Sequence, residues 1–160
     1  MTKLEREYGF VSKKQPIFED NQRKNCLYAI DDNFYRFWFR FIFKYNYLAE
    51  VKMFEELRSI VERDYDVFSG RALEGYFRSK FIEERRYSRI GGWWDRKGEN
   101  EIDLVCENEF TDVIDFYEVK RGRKRIDLDL LRKKAEAFFE KNSHLRSRKI
   151  SFSGLCMEDM

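Results

Sequence analysis

The chain has 160 residues, of which 42% are hydrophobic, 18% aromatic and 39% charged. That length and aromatic content suffice for one ordinary domain, or for a small domain with an appendage, built around a real core. The formal net charge is only +2, which excludes a global polycation. Any binding to nucleic acid must therefore come from local basic patches.

The cysteine spacing and the absence of targeting segments indicate the cellular compartment and limit the kinds of metal or disulfide site that are expected. The three cysteines, Cys26, Cys106 and Cys156, are far apart and form no CxxC pair, which argues against a zinc knuckle or a disulfide framework. Free cysteines favour a reducing, cytoplasmic compartment. The charged N-terminus does not resemble a signal peptide, and no apolar run approaches the roughly 20 residues of a membrane helix. We expect a cytoplasmic protein with no membrane partner.

The first part of the chain predicts a hairpin followed by helices. Two extended pieces flank a mostly polar turn, as in a β-hairpin, and the acidic residues after the second piece offer a helix N-cap. The aromatic run that follows has the i, i+3, i+4, i+7 spacing of a mostly buried helix. The predicted elements are strands over residues 9–17 and 25–30, a turn starting at residues 18–21, and helices over residues 34–47 and 50–63.

From Val67 onward the pattern changes. Ser69 can cap a helix running to about residue 84, and Asp127 can cap a later one. Runs of strand character lie between and after these helices, over residues 87–95, 101–106, 112–120 and 149–156. The predicted order is therefore helix, three-strand meander, helix, strand, which is an α/β fold with a mixed sheet.

A candidate catalytic site lies on the second and third strands of this meander. Side chains alternate along a strand, so Glu118 and Lys120 share one face, as do Glu101 and Asp103. If these strands pair through the loop at residues 107–111, Asp103 and Glu118 converge. Two carboxylates suit a hard cation such as Mg²⁺ or Mn²⁺, and Lys120 can position the water that attacks a phosphate. Glu101 is the alternative ligand if the register differs.

Residues around this centre offer further contacts. The four basic residues after the third strand can bind backbone phosphates; they are Arg121, Arg123, Lys124 and Arg125. Glu74 borders the buried stripe of its helix and can add a third ligand. Its alternative role is an ordinary ion pair with a neighbouring arginine, and a Glu-x-Lys pair also occurs by chance in a chain this charged.

The order of these residues resembles the PD-(D/E)XK nuclease core, the restriction-endonuclease-like fold, over about residues 67–156. The resemblance places the helix acid of that superfamily on Glu74, its strand aspartate on Asp103 and its Glu-x-Lys on Glu118 and Lys120. It implies metal ligation by Asp103 and Glu118, with Glu74 as a further ligand. One departure is that Ile102, not proline, precedes Asp103.

A second resemblance covers nearly the whole chain. The segments YAIDDNFYRFWFRFI, GRALEGYF, IGGWWDRKGENEIDLV and YEVKRGR resemble the C-terminal region of AAA-type ATPases of archaea and bacteria. In those proteins a P-loop module and a winged helix precede a nuclease-like domain. This chain contains no GxxxxGK[ST] motif, so it is not expected to bind ATP through a P-loop.

The resemblance implies two domains. Residues 1–64 correspond to the tail and wing of a winged helix with the aromatic-rich helices, and residues 65–160 to the nuclease-like domain. The chain is then expected to be a C-terminal fragment, a split-gene product or a degenerate relative. A separately encoded ATPase is a candidate partner, and an exposed part of the aromatic run can make the chain a homodimer.

Two hypotheses remain open. In the first, the chain is a magnesium-dependent deoxyribonuclease, because all four polar positions of the superfamily are present. In the second, it is a catalytically silent module with the nuclease fold that contacts DNA or assembles with an ATPase, because the net charge is small and the partner modules are missing.

Overall fold

The computed structural model describes residues 9–19 and 25–160. Two parts of the predicted winged-helix tail and wing lie outside the described residues: residues 1–8, and residues 20–24 of the predicted turn. The chain divides into two compact units. The first comprises Met1–Lys14 and Leu27–Ala72, and the second comprises Gln15–Cys26 and Leu73–Met160.

The first unit opens with the predicted hairpin. Strands β1 (Val11–Lys14) and β2 (Leu27–Ile30) pair antiparallel. Asp32 then caps helix α1 (Asn33–Phe37), where its side chain accepts a hydrogen bond from the Tyr35 amide. A π-helical segment (Trp38–Phe43), helix α2 (Asn46–Glu50) and the long helix α3 (Phe54–Glu84) follow. The hairpin and the N-cap are confirmed, although the first strand ends earlier than predicted.

The aromatic run does not form the single, mostly buried helix that its spacing predicts. It is divided among α1, the π-helical segment and α2, and only Phe41 of these three elements is buried. The run is apolar on nearly every side, whereas a helix on the surface of a small unit can bury only one stripe. Most of these aromatic side chains therefore remain exposed.

The prediction of separate helices over residues 50–63 and from Ser69 onward is wrong. One helix, α3, runs from Phe54 to Glu84. The Ser69 hydroxyl does not cap a helix start, because it donates to the carbonyl oxygen of Tyr65 at 2.8 Å and of Asp66 at 3.3 Å. A serine inside a helix bonds back to the preceding turn in this way, and no proline interrupts the segment.

The second unit contains a four-stranded mixed sheet with strand order β3–β4–β5–β6. Its strands are β3 (Arg89–Trp94), β4 (Glu101–Asn108), β5 (Val113–Val119) and β6 (Lys149–Leu155). The first two pairs are antiparallel and the β5–β6 pair is parallel. Helix α4 (Leu128–Lys141) connects β5 to β6. The predicted meander, connecting helix and final strand are therefore confirmed, and the molecule is a mixed α/β protein.

Two clusters of apolar side chains hold this sheet. The first joins sheet residues to α4 and contains Trp93, Ile102, Phe116, Leu131 and Phe138 among others. The second joins other sheet residues to the C-terminal part of α3 and contains Leu73, Phe77, Phe81, Leu104 and Tyr117. Most other side chains of β4 and β5 are buried. This packing keeps the polar residues at the ends of these strands in fixed positions.

None of the helices in the described part of the chain is long and apolar enough to cross a membrane.

Candidate active site

A β-bulge lies at the candidate acid Asp103. The register of β3 against β4 shifts between Gly91 and Trp93. As a result, Gly92 alone lies opposite two residues of β4, Asp103 and Leu104. Bulges turn individual side chains away from strict alternation and are frequent next to active sites. Because of this irregularity, strict alternation along β4 does not by itself fix the face on which Asp103 lies.

The Asp103 carboxylate reaches the end of β5. Its Oδ2 accepts a hydrogen bond from the backbone N–H of Val119 at 2.7 Å. The last residue pair of the β4–β5 ladder is Leu104 with Tyr117, so this side chain extends the contact between the two strands beyond the ladder. The side chain is 14% exposed, which leaves it partly open to a ligand.

Glu118 presents a second carboxylate at the end of β5, and the start of α4 holds it. Glu118 is buried, and its Oε2 accepts the backbone N–H of Asp127 at 2.6 Å. Asp127 is the predicted N-cap of α4, and its own side chain accepts the amides of Asp129 and Leu130. The cap therefore fixes the backbone at Asp127, and the backbone N–H of Asp127 in turn holds the Glu118 carboxylate.

Lys120 joins the two carboxylates. Its Nζ lies 3.2 Å from Asp103 Oδ2 and 3.3 Å from Glu118 Oε1, and its backbone N–H donates to the Leu155 carbonyl of β6 at 2.9 Å. Burial acts to lower the pKa of Lys120, but the charges and hydrogen bonds of Asp103 and Glu118 outweigh burial and raise it. The ammonium is therefore charged at neutral pH, and the three side chains together carry a formal charge of −1.

A glycine next to Glu118 makes this arrangement possible, and sequence reasoning missed it. Gly154 pairs with Glu118 across the parallel β5–β6 ladder. A Cβ built on Gly154 would lie 2.3 Å from Cγ2 of Ile126 and 2.7 Å from its Cδ1. Ile126 thus occupies the space over the glycine, and the next residue, Asp127, reaches Glu118. A glycine inside an apolar strand signals such a close approach, and this signal was present in the sequence.

Three of the four predicted catalytic side chains, those of Asp103, Glu118 and Lys120, are linked by the contacts above. The fourth residue, Glu74, lies half-buried on α3. Within residues 9–19 and 25–160, no group of three or more His, Cys, Asp or Glu side chains is placed to hold a metal ion together. Glu101, the alternative ligand, is exposed at the start of β4.

The predicted phosphate contacts follow β5 directly. Residues Arg123–Arg125 form a single 3₁₀ turn. Arg123 forms ion pairs with two acids near the C-terminus. Its Nη2 lies 2.6 Å from Asp159 Oδ1, and its Nε lies 3.4 Å from Glu158 Oε2. Lys124 and Arg125 are exposed and Arg121 is half-buried. The cluster therefore offers exposed positive charge beside the site, and part of it is compensated internally.

Two other buried acids of the sheet are held differently. Asp115 accepts hydrogen bonds from the hydroxyls of Tyr87 and Ser151, each at 2.6 Å, and burial together with the Asp115 hydrogen bond raises the pKa of Tyr87. Glu107 pairs with Arg148 at 2.8 Å. Asp115 also lies 3.7 Å from Arg86, and Glu107 lies 3.6 Å from Arg89. Arginine and hydroxyl partners of this kind are usual for buried structural acids. In contrast, Asp103 and Glu118 share one lysine.

Comparisons with known proteins give a family and one relative. Residues 38–137 match the model of a family described as DUF234, archaea bacterial proteins of unknown function. An uncharacterized protein of Methanocaldococcus jannaschii is 34% identical over 142 residues, which cover 79% of this chain and 31% of that protein. The chain thus spans about a third of the length of that relative. No solved structure matches the chain.

Proposed function

Because the chain belongs to this family of archaeal and bacterial proteins of unknown function, we propose its activity from its own residues: metal-dependent hydrolysis of DNA phosphodiester bonds by a restriction-endonuclease-like domain. The observation that carries the proposal is the convergence of Asp103, Glu118 and Lys120 at the ends of two adjacent strands. Paired carboxylates with a charged lysine are suited to phosphoryl chemistry.

The donor set fits magnesium or manganese. Both prefer oxygen ligands, and Mg²⁺ commonly binds through one or two carboxylates, with water and substrate phosphate completing its shell. The hydrogen bonds from Val119 and Lys120 both go to Oδ2 of Asp103, and the formal charge of −1 favours a cation. A bound ion would polarise a phosphoryl oxygen and lower the pKa of a bound water. Glu74 remains a proposed additional ligand.

Lys120 is the residue that we assign to water and phosphate positioning. Its raised pKa keeps it protonated, so it can donate hydrogen bonds to an attacking water or to a phosphate oxygen on which charge develops. Its side chain is 34% exposed, which leaves room for a substrate to approach. Asp103 and Glu118 orient the ammonium in the absence of substrate.

The basic cluster after β5 supplies the proposed contact with the DNA backbone. Lys124 and Arg125 are exposed directly after the catalytic strand, where positive charge attracts phosphates regardless of base sequence. Association with a separately encoded AAA-type ATPase is a further part of the proposal. The match covers 31% of the M. jannaschii relative, which leaves room for additional domains in that protein.

A catalytically silent role is the second candidate. In it, the domain keeps the nuclease fold and contacts DNA or an ATPase without turnover. One observation favours this role: Lys120 already forms ion pairs with both carboxylates. In such a protein the ion pairs would be structural.

The test is cleavage of single-stranded, duplex and branched DNA with Mg²⁺ or Mn²⁺, combined with calorimetric titration of Mn²⁺. We expect metal-dependent cleavage by the parent and loss of both cleavage and metal binding in Asp103→Ala. Glu109→Ala is the matched control, because this exposed acid follows the opposite end of the same strand and has no proposed role at the site. Absence of cleavage and of metal binding in the parent would reject the nuclease and leave the silent module.

A further inference from the structure

The first unit exposes a set of aromatic side chains that we call the aromatic face. Phe34 is 65% exposed and Phe43 is 64% exposed, and Phe34 stacks on Trp38 with ring centroids 6.4 Å apart. Phe39 contacts Phe43 at 5.6 Å. The aromatic face comprises Phe34, Trp38, Phe39, Phe43, Tyr47 and Phe54.

The described part of the first unit has little core of its own to stabilise it. Its buried hydrophobic residues are Phe41, Leu57 and Phe68. Both clusters of buried apolar side chains belong to the second unit. Part of the aromatic face lies on a π-helical segment, a rare geometry that is often found at functional positions. A unit with this balance of exposed and buried aromatic residues is suited to bury its surface against a partner.

The exposed area matches a protein interface. At roughly 200 Å² for each aromatic side chain, the exposed fractions of the aromatic face amount to on the order of 650 Å². Val51, Met53 and Val67 are further exposed apolar residues of the same unit. The largest apolar patch of a typical monomer is about 300–600 Å², and a stable interface buries about 800 Å² on each partner.

The chemistry of the surface favours a protein over a nucleic acid. Val51, Met53 and Val67 have no ring on which a base could stack. The charges are also self-complementary. Residues 33–49 contain three basic and no acidic residues, whereas residues 50–56 contain three acidic residues and one lysine. In an antiparallel arrangement of two identical surfaces, the basic segment of one copy meets the acidic segment of the other.

We propose that the aromatic face joins two copies of this chain in a two-fold symmetric dimer. Phe34 and Phe43 form the apolar centre of the interface. Arg40 and Lys44 pair with Glu50, Glu55 or Glu56 of the other copy. The dimer does not depend on the proposed nuclease activity, because every residue that carries it belongs to the first unit.

The experiment is sedimentation equilibrium of the full chain over a concentration series. Its variants are Phe34→Ser with Phe43→Ser, and Arg40→Glu with Lys44→Glu. The matched control is Phe110→Ser, since Phe110 is 86% exposed but belongs to the second unit. We expect a dimer for the parent and the control. Each double variant should raise the dissociation constant about tenfold or more. The charge variant decides the question if the serine variant fails to fold by circular dichroism.

Three results would overturn the proposal. The first is a monomeric parent over the whole series. The second is a dimer that is as tight in folded variants as in the parent. The third is a monomer that binds a single-stranded oligonucleotide and loses this binding in the variants, which would identify the aromatic face as a nucleic-acid site.

Discussion

Glu118 and Gly154 are neighbours across the parallel β5–β6 ladder, and the missing side chain of the glycine determines how the glutamate is held. Ile126 fills the space over Gly154. The next backbone amide, that of Asp127, then donates to Glu118 at 2.6 Å. A residue without chemical function of its own thus positions a carboxylate of the candidate site.

Gly154→Ala should lower the free energy of unfolding by about 1–3 kcal/mol, because the new methyl group collides with Ile126. Urea unfolding monitored by fluorescence measures this change. Ile126→Ala removes the colliding atoms. The loss in free energy of unfolding of the double variant should therefore be smaller, by at least about 1 kcal/mol, than the sum of the losses in the two single variants. Strictly additive losses would show that the two residues do not act through each other.

Lys120→Met should destabilise the protein at neutral pH by about 1–3 kcal/mol, because it leaves Asp103 and Glu118 facing each other without their shared donor. The pKa of Lys120 is raised in the folded state. Its stabilising contribution is therefore complete below its unfolded pKa of about 10.4 and is lost as the pH rises through the folded value.

The measurement for Lys120 is urea unfolding of the parent and the variant at neutral pH and at increasing alkaline pH. The difference in the free energy of unfolding between the parent and Lys120→Met should decrease only as the pH rises through the titration of Lys120. Lys133→Met, at an exposed lysine of α4, should change stability by less than about 0.5 kcal/mol throughout. A difference that stays constant through the titration would contradict the charge-based explanation.

Ser69→Ala should stabilise the protein by up to about 0.5 kcal/mol, because Ser69 lies inside α3 and alanine is the better helix former. If Ser69 capped the start of a helix, the same change would cost about 1 kcal/mol. Thermal and urea unfolding distinguish these two positions of Ser69, because the change in the free energy of unfolding has the opposite sign in each case. Gly70→Ala, at a position with open space, should also stabilise the helix.

The strand pattern and the spacing of the polar residues could be predicted from sequence. Alternation along two strands placed Glu118 and Lys120 on one face, and a hairpin between the strands brought Asp103 to them. The N-caps at Asp32 and Asp127 also followed from local rules. These features depend on interactions within a few residues or on the regular geometry of a strand pair.

Other features could not be predicted, because they depend on contacts that the sequence pattern does not encode. Alternation does not reveal that Gly92 faces two residues of β4. The role of Gly154 depends on Ile126, which is 28 positions away and whose side chain meets it only in the fold. Ser69 has the chemistry of a cap, but the continuous helix around it gives its hydroxyl a different acceptor.

We propose that Asp103, Glu118 and Lys120 form a phosphodiester-cleaving centre. The single-turnover rate of DNA cleavage by Lys120→Ala at saturating Mn²⁺ tests this proposal. Lys133→Ala is the matched lysine control. We predict a loss on the order of 100-fold or more in Lys120→Ala, with the rate of the control unchanged and both proteins folded. Metal-dependent cleavage by Lys120→Ala at the parental rate would contradict a catalytic role for this lysine.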